Sequence, residues 1–211
     1  MDAKIKKALS RMEWLGHDTF KLCDDIVIYT DPYKLEGALT KADLILITHD
    51  HFDHLSLEDI ERIKKDDTAV VGPPDCRDKY PDIIPINIGE KKEVKGIEIE
   101  AVPAYNIDKD FHPKGNKWVG YIFTMIGVRI YLAGDTDLIP EMEDIKCDIA
   151  LLPVSGTYVM TADEAVRAAL KIKPELAVPM HYGTVVGSAS DALNFKSALE
   201  GKIEVHIFEQ V

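Results

Sequence analysis

Cysteine is scarce in this chain, and long apolar runs are absent. Cys23, Cys76 and Cys147 are odd in number, widely spaced and form no CxxC pair. They therefore exclude a disulfide frame or a sulfur-rich metal site and fit reduced thiols. No apolar stretch approaches the roughly 20 residues that a membrane-crossing helix requires. The opening residues MDAKIKKALSRMEWLG are basic but lack the continuous apolar core of a secretory signal, so a cytoplasmic protein is expected. Low-complexity tracts, short repeats and Gly-, Pro- or Ser-rich linkers are missing too. A length of 211 residues then suits a single domain over 1–211, with residues 1–12 as an N-terminal helical extension. Basic charge is the last shortage: 25 Lys and Arg face 37 Asp and Glu, a net charge of −12. Gripping a phosphate backbone takes clustered cations. The one basic cluster, Lys4 with Lys6 and Lys7, sits near an end, so neither nucleic acid nor membrane is an expected partner.

What is present reads as strands and helices in alternation. Short strands are expected at Glu13–Leu15, Thr19–Cys23 and Ile26–Thr30, followed by the continuous apolar run ADLILIT, typical of a strand covered on both faces. A helix over Leu57–Lys65 follows, capped by Ser56 with Asp59 three residues on. TAVVG reads as a buried strand, PPDCRDKY as a short helix, and the alternation in KGIEIEAVPA as a half-exposed strand. A hairpin is expected to turn near Gly127 and run on to Asp135, and CDIALLPV is another buried strand. TADEAVRAALKIKP is the clearest helix, with Thr161 and Glu164 as a capping box and Pro174 beyond its end. ELAVPMHYGT should be a strand stopping at His181, Ser188 or Ser190 caps a further helix to about Leu199, and KIEVHIF closes the chain as a strand. The pattern predicts an α/β protein of two packed sheets with helices on both outer faces.

Polar groups gather where those strands end. Asp31, the cluster THDHFDHL at Thr48–Leu55, Asp135 and His181 each follow an apolar strand. Neighbouring strands would bring their C-terminal ends to one crevice, the usual ligand position in such sheets. In extended chain His49 and His51 point to the same side and can reach one cation. A turn after Phe52 presents Asp53 and His54 to a second. Imidazole and carboxylate suit Zn²⁺, Fe or Mn²⁺ better than Ca²⁺ or Mg²⁺. A lone histidine there would more often belong to a solvated loop, but three histidines and two aspartates after a buried strand reverse that balance. Taken singly, Asp135 also fits an Asx turn, and His181 a core histidine bonded to a carbonyl.

THDHFDH, AGDTD and PMHYG, in this order and at these separations, resemble the metallo-β-lactamase superfamily with its HxHxDH motif. WLGHDTF, DPY and HYGT look like its small cytosolic branch of metal-dependent hydrolases related to the ascorbate-6-phosphate lactonases. The resemblance covers nearly the whole chain from Glu13. It implies an αββα sandwich of two mixed sheets and a site for two divalent metals, zinc first, with Mn or Fe as other choices. By that resemblance His49 and His51 bind the first metal, Asp53 and His54 the second; Asp135 bridges both and His181 completes the second. Asp31 would support the site by hydrogen bonds, and His17 matches a histidine near it. Relatives carry a further histidine for the first metal after the strand that here reads IEIEAVPA. In its place stands AYNIDKDFH, so Asn106 and His112 are the two candidates for that third ligand.

The chemistry implied is hydrolysis by a hydroxide that two cations generate near neutral pH. Asp53 would orient the nucleophile and take its proton, and Tyr182 is a candidate donor to the leaving group. A small ester, lactone or phosphodiester fits, with an anionic substrate meeting Lys109, Lys114 or Lys117 on the segment Ala104–Trp118. A non-hydrolytic metal-binding protein and an iron-dependent redox enzyme of the same fold stand as the alternatives. Self-association into a homo-oligomer is left open.

Overall fold

A computed structural model describes residues 1–211. The chain opens with α1 (Ala3–Leu9), whose first turn is capped by the Asp2 carboxylate accepting from the Lys4 N–H. The first sheet follows, in spatial order β1 (Met12–Gly16), β2 (Thr19–Cys23), β3 (Val27–Thr30), β4 (Leu44–Leu46), β5 (Ala69–Gly72) and β6 (Ile84–Pro85). From β1 to β3 the pairing is antiparallel, and from β3 to β6 parallel. The parallel pair β4 and β5 is connected through α2 (Leu57–Ile63), which Ser56 caps by accepting from the Asp59 N–H.

The second sheet is built from β7 (Lys91–Val94), β8 (Ile97–Pro103), β9 (Val119–Met125), β10 (Val128–Leu132), β11 (Ile149–Pro153), β12 (Leu176–Met180) and β13 (Glu204–Val205), hydrogen-bonded as neighbours in that order. Here β7 to β10 form an antiparallel meander and β10 to β13 run parallel. The parallel crossovers carry α3 (Ala162–Ile172) and α4 (Ala189–Leu199). Thr161 and Glu164 form the expected capping box on α3, and Ser188 caps α4.

Side-chain alternation along β4 explains its unbroken apolar sequence. Leu44 and Leu46 join the large core between the sheets, while Ile45 and Ile47 pack under Ile60 and Ile63 of α2 on the outer face. Both faces are dry, so both parities must be apolar. Two hydrogen bonds tie the sheets together beside the end of β4. The buried Tyr121 hydroxyl donates to the Ile47 carbonyl at 2.6 Å, and the Val119 N–H donates to the Thr48 carbonyl.

The architecture is the expected two-sheet sandwich, with differences at element ends. The hairpin strand β10 stops at Leu132, short of Asp135, because Gly134 turns the chain at φ +64. KIEVHIF supplies only β13, which pairs with β12 over two positions. Strands β6 and β7 escape a hydrophobicity reading. The first is two residues long, and the second is an edge strand carrying Lys91, Lys92 and Glu93, the charged composition that keeps an open edge from pairing with other chains.

Candidate metal centre

Five of the parallel-paired strands deliver a polar residue at or just beyond their C-terminal ends. Asp31 follows β3, Thr48 and His49 follow β4, Asp135 follows β10, Ser155 follows β11, and His181 follows β12. His17 and Asp18 enter from the turn between β1 and β2, and His112 from the segment after β8. His17, Asp31 and His181 all hold positive φ (51, 35 and 58), a conformation that costs of order 1–3 kcal/mol in a non-glycine residue and persists only where surroundings impose it.

Hydrogen bonds fix which nitrogen each imidazole presents. The Thr48 hydroxyl donates to Asp31 Oδ2 at 2.6 Å, so toward His49 it can only accept, and His49 Nδ1–H donates to it at 2.9 Å. His54 Nδ1 bonds the Asp31 carboxylate at 2.8 Å, and His181 Nδ1 pairs with the Ser155 hydroxyl at 2.9 Å. His112 Nδ1 donates to Asn106 Oδ1 at 3.0 Å, an oxygen identified as such because it also accepts the His112 backbone N–H. With Nδ1 engaged in all four, Nε2 is the free atom. His51 is the exception and presents Nδ1, 3.1 Å from His49 Nε2.

The freed atoms converge. Donor atoms of His49, His51 and His112 lie within 4.8 Å of one another, as do those of His49, His54 and Asp135. Asp135 Oδ2 stands 3.2 Å from His112 Nε2, 3.2 Å from His181 Nε2 and 3.5 Å from His54 Nε2, touching both halves of the assembly. Ligand atoms around a tetrahedral zinc with bonds of about 2.0–2.1 Å stand about 3.3 Å apart, so these separations match the edges of such a coordination polyhedron. Unmet bonding capacity says the same. Of the ten buried polar side-chain atoms with no hydrogen-bond partner, seven belong to His17, Asp18, His54, His112 and Asp135. Native interiors rarely leave such atoms unpaired, and cations at this position would satisfy His54 Nε2, His112 Nε2 and Asp135 Oδ1 among them. The residues present fit divalent metal.

Charge is finely divided in this pocket. Burial and the charge of neighbouring histidines keep the His49 and His51 imidazoles neutral, their pKa values lowered. Burial opposes protonation of His54 and His181 as well, but there the Asp135 carboxylate wins, aided at His54 by Asp31, and both are raised. Burial works against ionised Asp135, yet His181 and His54 hold it well below the usual carboxylate range. Asp31 is raised by burial despite its bond to His54.

Several sequence-based expectations need correction. Asn106 is not free to ligate: Oδ1 serves His112, while Nδ2 donates to Asp137 Oδ1 at 3.1 Å and to the Tyr158 carbonyl at 2.9 Å. Of the two candidates, His112 is the one that reaches the cluster. Asp53 reaches the assembly through His17, with Oδ2 3.2 Å from His17 Nε2. Burial alone would raise the Asp53 pKa, but His17 and His54 bring it down to about 2, so it is a carboxylate. Tyr182 does not line the cavity; its ring packs on the Trp14 indole at 4.7 Å. Two of the three loop lysines are committed elsewhere, Lys109 pairing with Asp137 at 2.6 Å and Lys114 with Glu141 at 2.9 Å, while Lys117 is exposed and does not line the cavity.

Asp18 is the residue that sequence reasoning missed. It is fully buried, both carboxylate oxygens lack partners, and it clusters with Asp135 and His181 and also with Asp31 and His54. Burial pushes its pKa well up. Its only signal in the sequence was adjacency to His17 in a tight turn between two strands. Trp118 was missed too; its indole packs beside His49 at 4.9 Å and His51 at 4.8 Å and is anchored by donating to Asp75.

The chain resembles known proteins over most of its length. A family model described as the beta-lactamase superfamily domain matches residues 11–181. A UPF0173 metal-dependent hydrolase from Methanoculleus marisnigri is 34% identical over 93% of this chain and 92% of its own. Another, from Thermoplasma acidophilum, is 35% identical with 92% of each chain covered. Among solved structures, a metallo hydrolase from Ignicoccus hospitalis is 28% identical, with a TM-score of 0.79 and 94% of each chain covered. No helix here is long and apolar enough to cross a membrane. With its two mixed sheets and its relatives among metal-dependent hydrolases, the chain belongs to the metallo-β-lactamase superfamily and is a metal-dependent hydrolase of that fold.

Proposed function

We propose that the chain hydrolyses a small ester, lactone or phosphodiester with two divalent metals, zinc first among them. His49, His51 and His112 would hold one metal, and His54 and His181 the other. Asp135 would lie between them and Asp53 at the edge. The observation that carries this reading is the convergence of three buried imidazole Nε2 atoms, those of His54, His112 and His181, on Asp135 Oδ2 at 3.2–3.5 Å. Bound there, the cations would supply Lewis acidity and bring the pKa of water toward neutrality.

The chain's own residues supply the rest. Asp53 lines the cavity as a carboxylate, its Oδ2 steadied by His17, and is placed to take the proton of an attacking water. Water oxygen bonds to the acyl carbon or phosphorus, the ester C–O or P–O bond breaks, and the proton passes from Asp53 to the departing oxygen. Trp118 walls off one side of the histidine pair and limits its access to bulk water.

Metal analysis of purified protein, joined to hydrolysis assays on ester, lactone and phosphodiester substrates, tests the reading. Two metals per chain and turnover abolished in His51→Ala and Asp135→Ala are expected. Fully loaded protein that turns over none of the three classes would overturn it.

A further inference from the structure

The cavity above the metal centre is small, about 270 Å³, with His51, Asp53, His112 and Asp135 at its floor. Its remaining walls are Phe52, Phe111, Tyr158 and Val185. Phe52 is 68% exposed and Phe111 50%, so each leaves half or more of its surface open beside the cavity. They are nevertheless held in place: Phe111 stands edge-on to Tyr158 at 4.6 Å, and Phe52 edge-on to Tyr33 at 5.8 Å. An exposed apolar patch continuous with a reaction centre marks a ligand surface.

Charge narrows the ligand further. No lysine or arginine lines the cavity, and the only acidic lining groups are Asp53 and Asp135. Lys109, the nearest candidate on the same segment as Phe111, is neutralised by Asp137 at 2.6 Å and Asp108 at 3.0 Å. Lys114 is held by Glu141 and by the Tyr105 hydroxyl. A carboxylate or phosphate on the distal part of a substrate would meet apolar side chains and the Asp53 carboxylate, with no lysine or arginine in the lining to receive it.

We propose that Phe52, Phe111, Tyr158 and Val185 bind an uncharged, apolar acyl arm of the substrate, which makes the chain a hydrolase of neutral carboxylic esters. This deepens the hydrolase reading and rests on it. The cavity volume falls just under the roughly 300–1,000 Å³ typical of drug-sized ligands, so the arm is short: a branched or linear aliphatic chain, or one ring.

The test compares 4-nitrophenyl butyrate with 4-nitrophenyl hemisuccinate, acyl chains of equal length ending in a methyl or a carboxylate, on the metal-loaded protein. Butyrate is expected to lead in kcat/KM by about tenfold or more, and Phe111→Ala and Phe52→Ala to shrink the lead to about twofold, at unchanged metal content. Calorimetric binding of butyrohydroxamic acid against succinic monohydroxamic acid reads the same preference without turnover. Equal binding of the two hydroxamates, or a lead for the succinyl compound, overturns the proposal whatever the esters do. A butyryl lead in binding with no turnover of either ester upholds the apolar subsite and overturns the carboxylic-ester assignment instead, and lactone and phosphodiester assays then test the hydrolysis reading separately.

Discussion

Asn106 Oδ1 accepts both the backbone N–H and the Nδ1–H of His112, each at 3.0 Å, and this pair of bonds aims His112 Nε2 at Asp135. Asn106 thereby acts on the metal position through His112 rather than directly. Orienting partners of this kind typically change metal affinity 10–100-fold. Asn106→Ala is accordingly expected to weaken the metal held by His49, His51 and His112 by about 10–100-fold while leaving the stoichiometry at saturation intact. His112→Ala should cost a full equivalent. Chelator competition followed by elemental analysis distinguishes the two, and an unchanged affinity in Asn106→Ala would remove its orienting role.

This pair also marks the border of what the sequence could disclose. THDHFDHL, AGDTD and PMHYG sit at strand ends, and strand ends are legible because the apolar runs before them are. Parallel pairing of β3, β4 and β5, and of β10, β11 and β12, then brings them together by topology alone. His112 was different. Its approach depends on a segment whose path is set by Asn106 bonding Asp137 and Tyr158, residues 31 and 52 positions away. Such contacts leave no periodic trace. Asp18 was hidden for a related reason: a lone aspartate in a turn looks solvent-exposed, and only the return of the chain over it buries both oxygens.

Asp31 anchors the floor of the site. It accepts from the Thr48 N–H at 2.8 Å, the Thr48 hydroxyl at 2.6 Å and His54 Nδ1 at 2.8 Å, all without solvent. Asp31→Ala orphans three buried donors at once. Removing one partner of a buried charged pair costs about 3–5 kcal/mol, and a chain of this size loses about 2–4 °C of Tm per kcal/mol. A Tm drop of about 6–20 °C is expected by calorimetry. A drop of less than about 2 °C would show that the network carries little of the stability.

Metal loading should release protons unequally. His54 and His181 have raised pKa values, burial being overcome by Asp135, so without metal they keep their protons beyond the ordinary imidazole range. A cation taking their Nε2 atoms must expel those protons, and its affinity rises with pH until the raised values are passed. His49 and His51 have lowered pKa values and are already neutral at pH 7, so binding there is flat near neutrality and weakens only on acidification. Zinc titration of metal-free protein in buffers of different ionisation enthalpy should therefore show one binding step with proton release and one with almost none. Equal release in both steps would contradict the division of charge.

Removing metal should also destabilise the fold, because the buried His54 Nε2, His112 Nε2 and Asp135 Oδ1 atoms then lack partners. Ligand held by the folded state alone adds about 4 kcal/mol at a free concentration 1,000 times Kd. At about 2–4 °C per kcal/mol, chelation is expected to lower Tm by about 8–16 °C, reversibly on metal return. An unchanged Tm in chelator would mean that the centre is held by protein contacts alone.

Gly134 sets the position of Asp135 by two independent constraints. Its φ of +64 is the left-handed region, and a Cβ added there would lie 3.1 Å from Thr48 Cβ and 3.2 Å from the Val119 carbonyl oxygen. Thr48 cannot yield easily, since its hydroxyl and N–H are both bound to Asp31. Alanine at this position adds about 1–2 kcal/mol of backbone strain to that contact, so a total near 2 kcal/mol and a Tm loss of about 4–8 °C are expected for Gly134→Ala. Because relief of the contact must move either Thr48 or Asp135, metal affinity should fall with stability. The discriminating measurement is the pair together: lowered Tm with metal affinity untouched would mean that the strain is absorbed on the side of Val119, away from the centre.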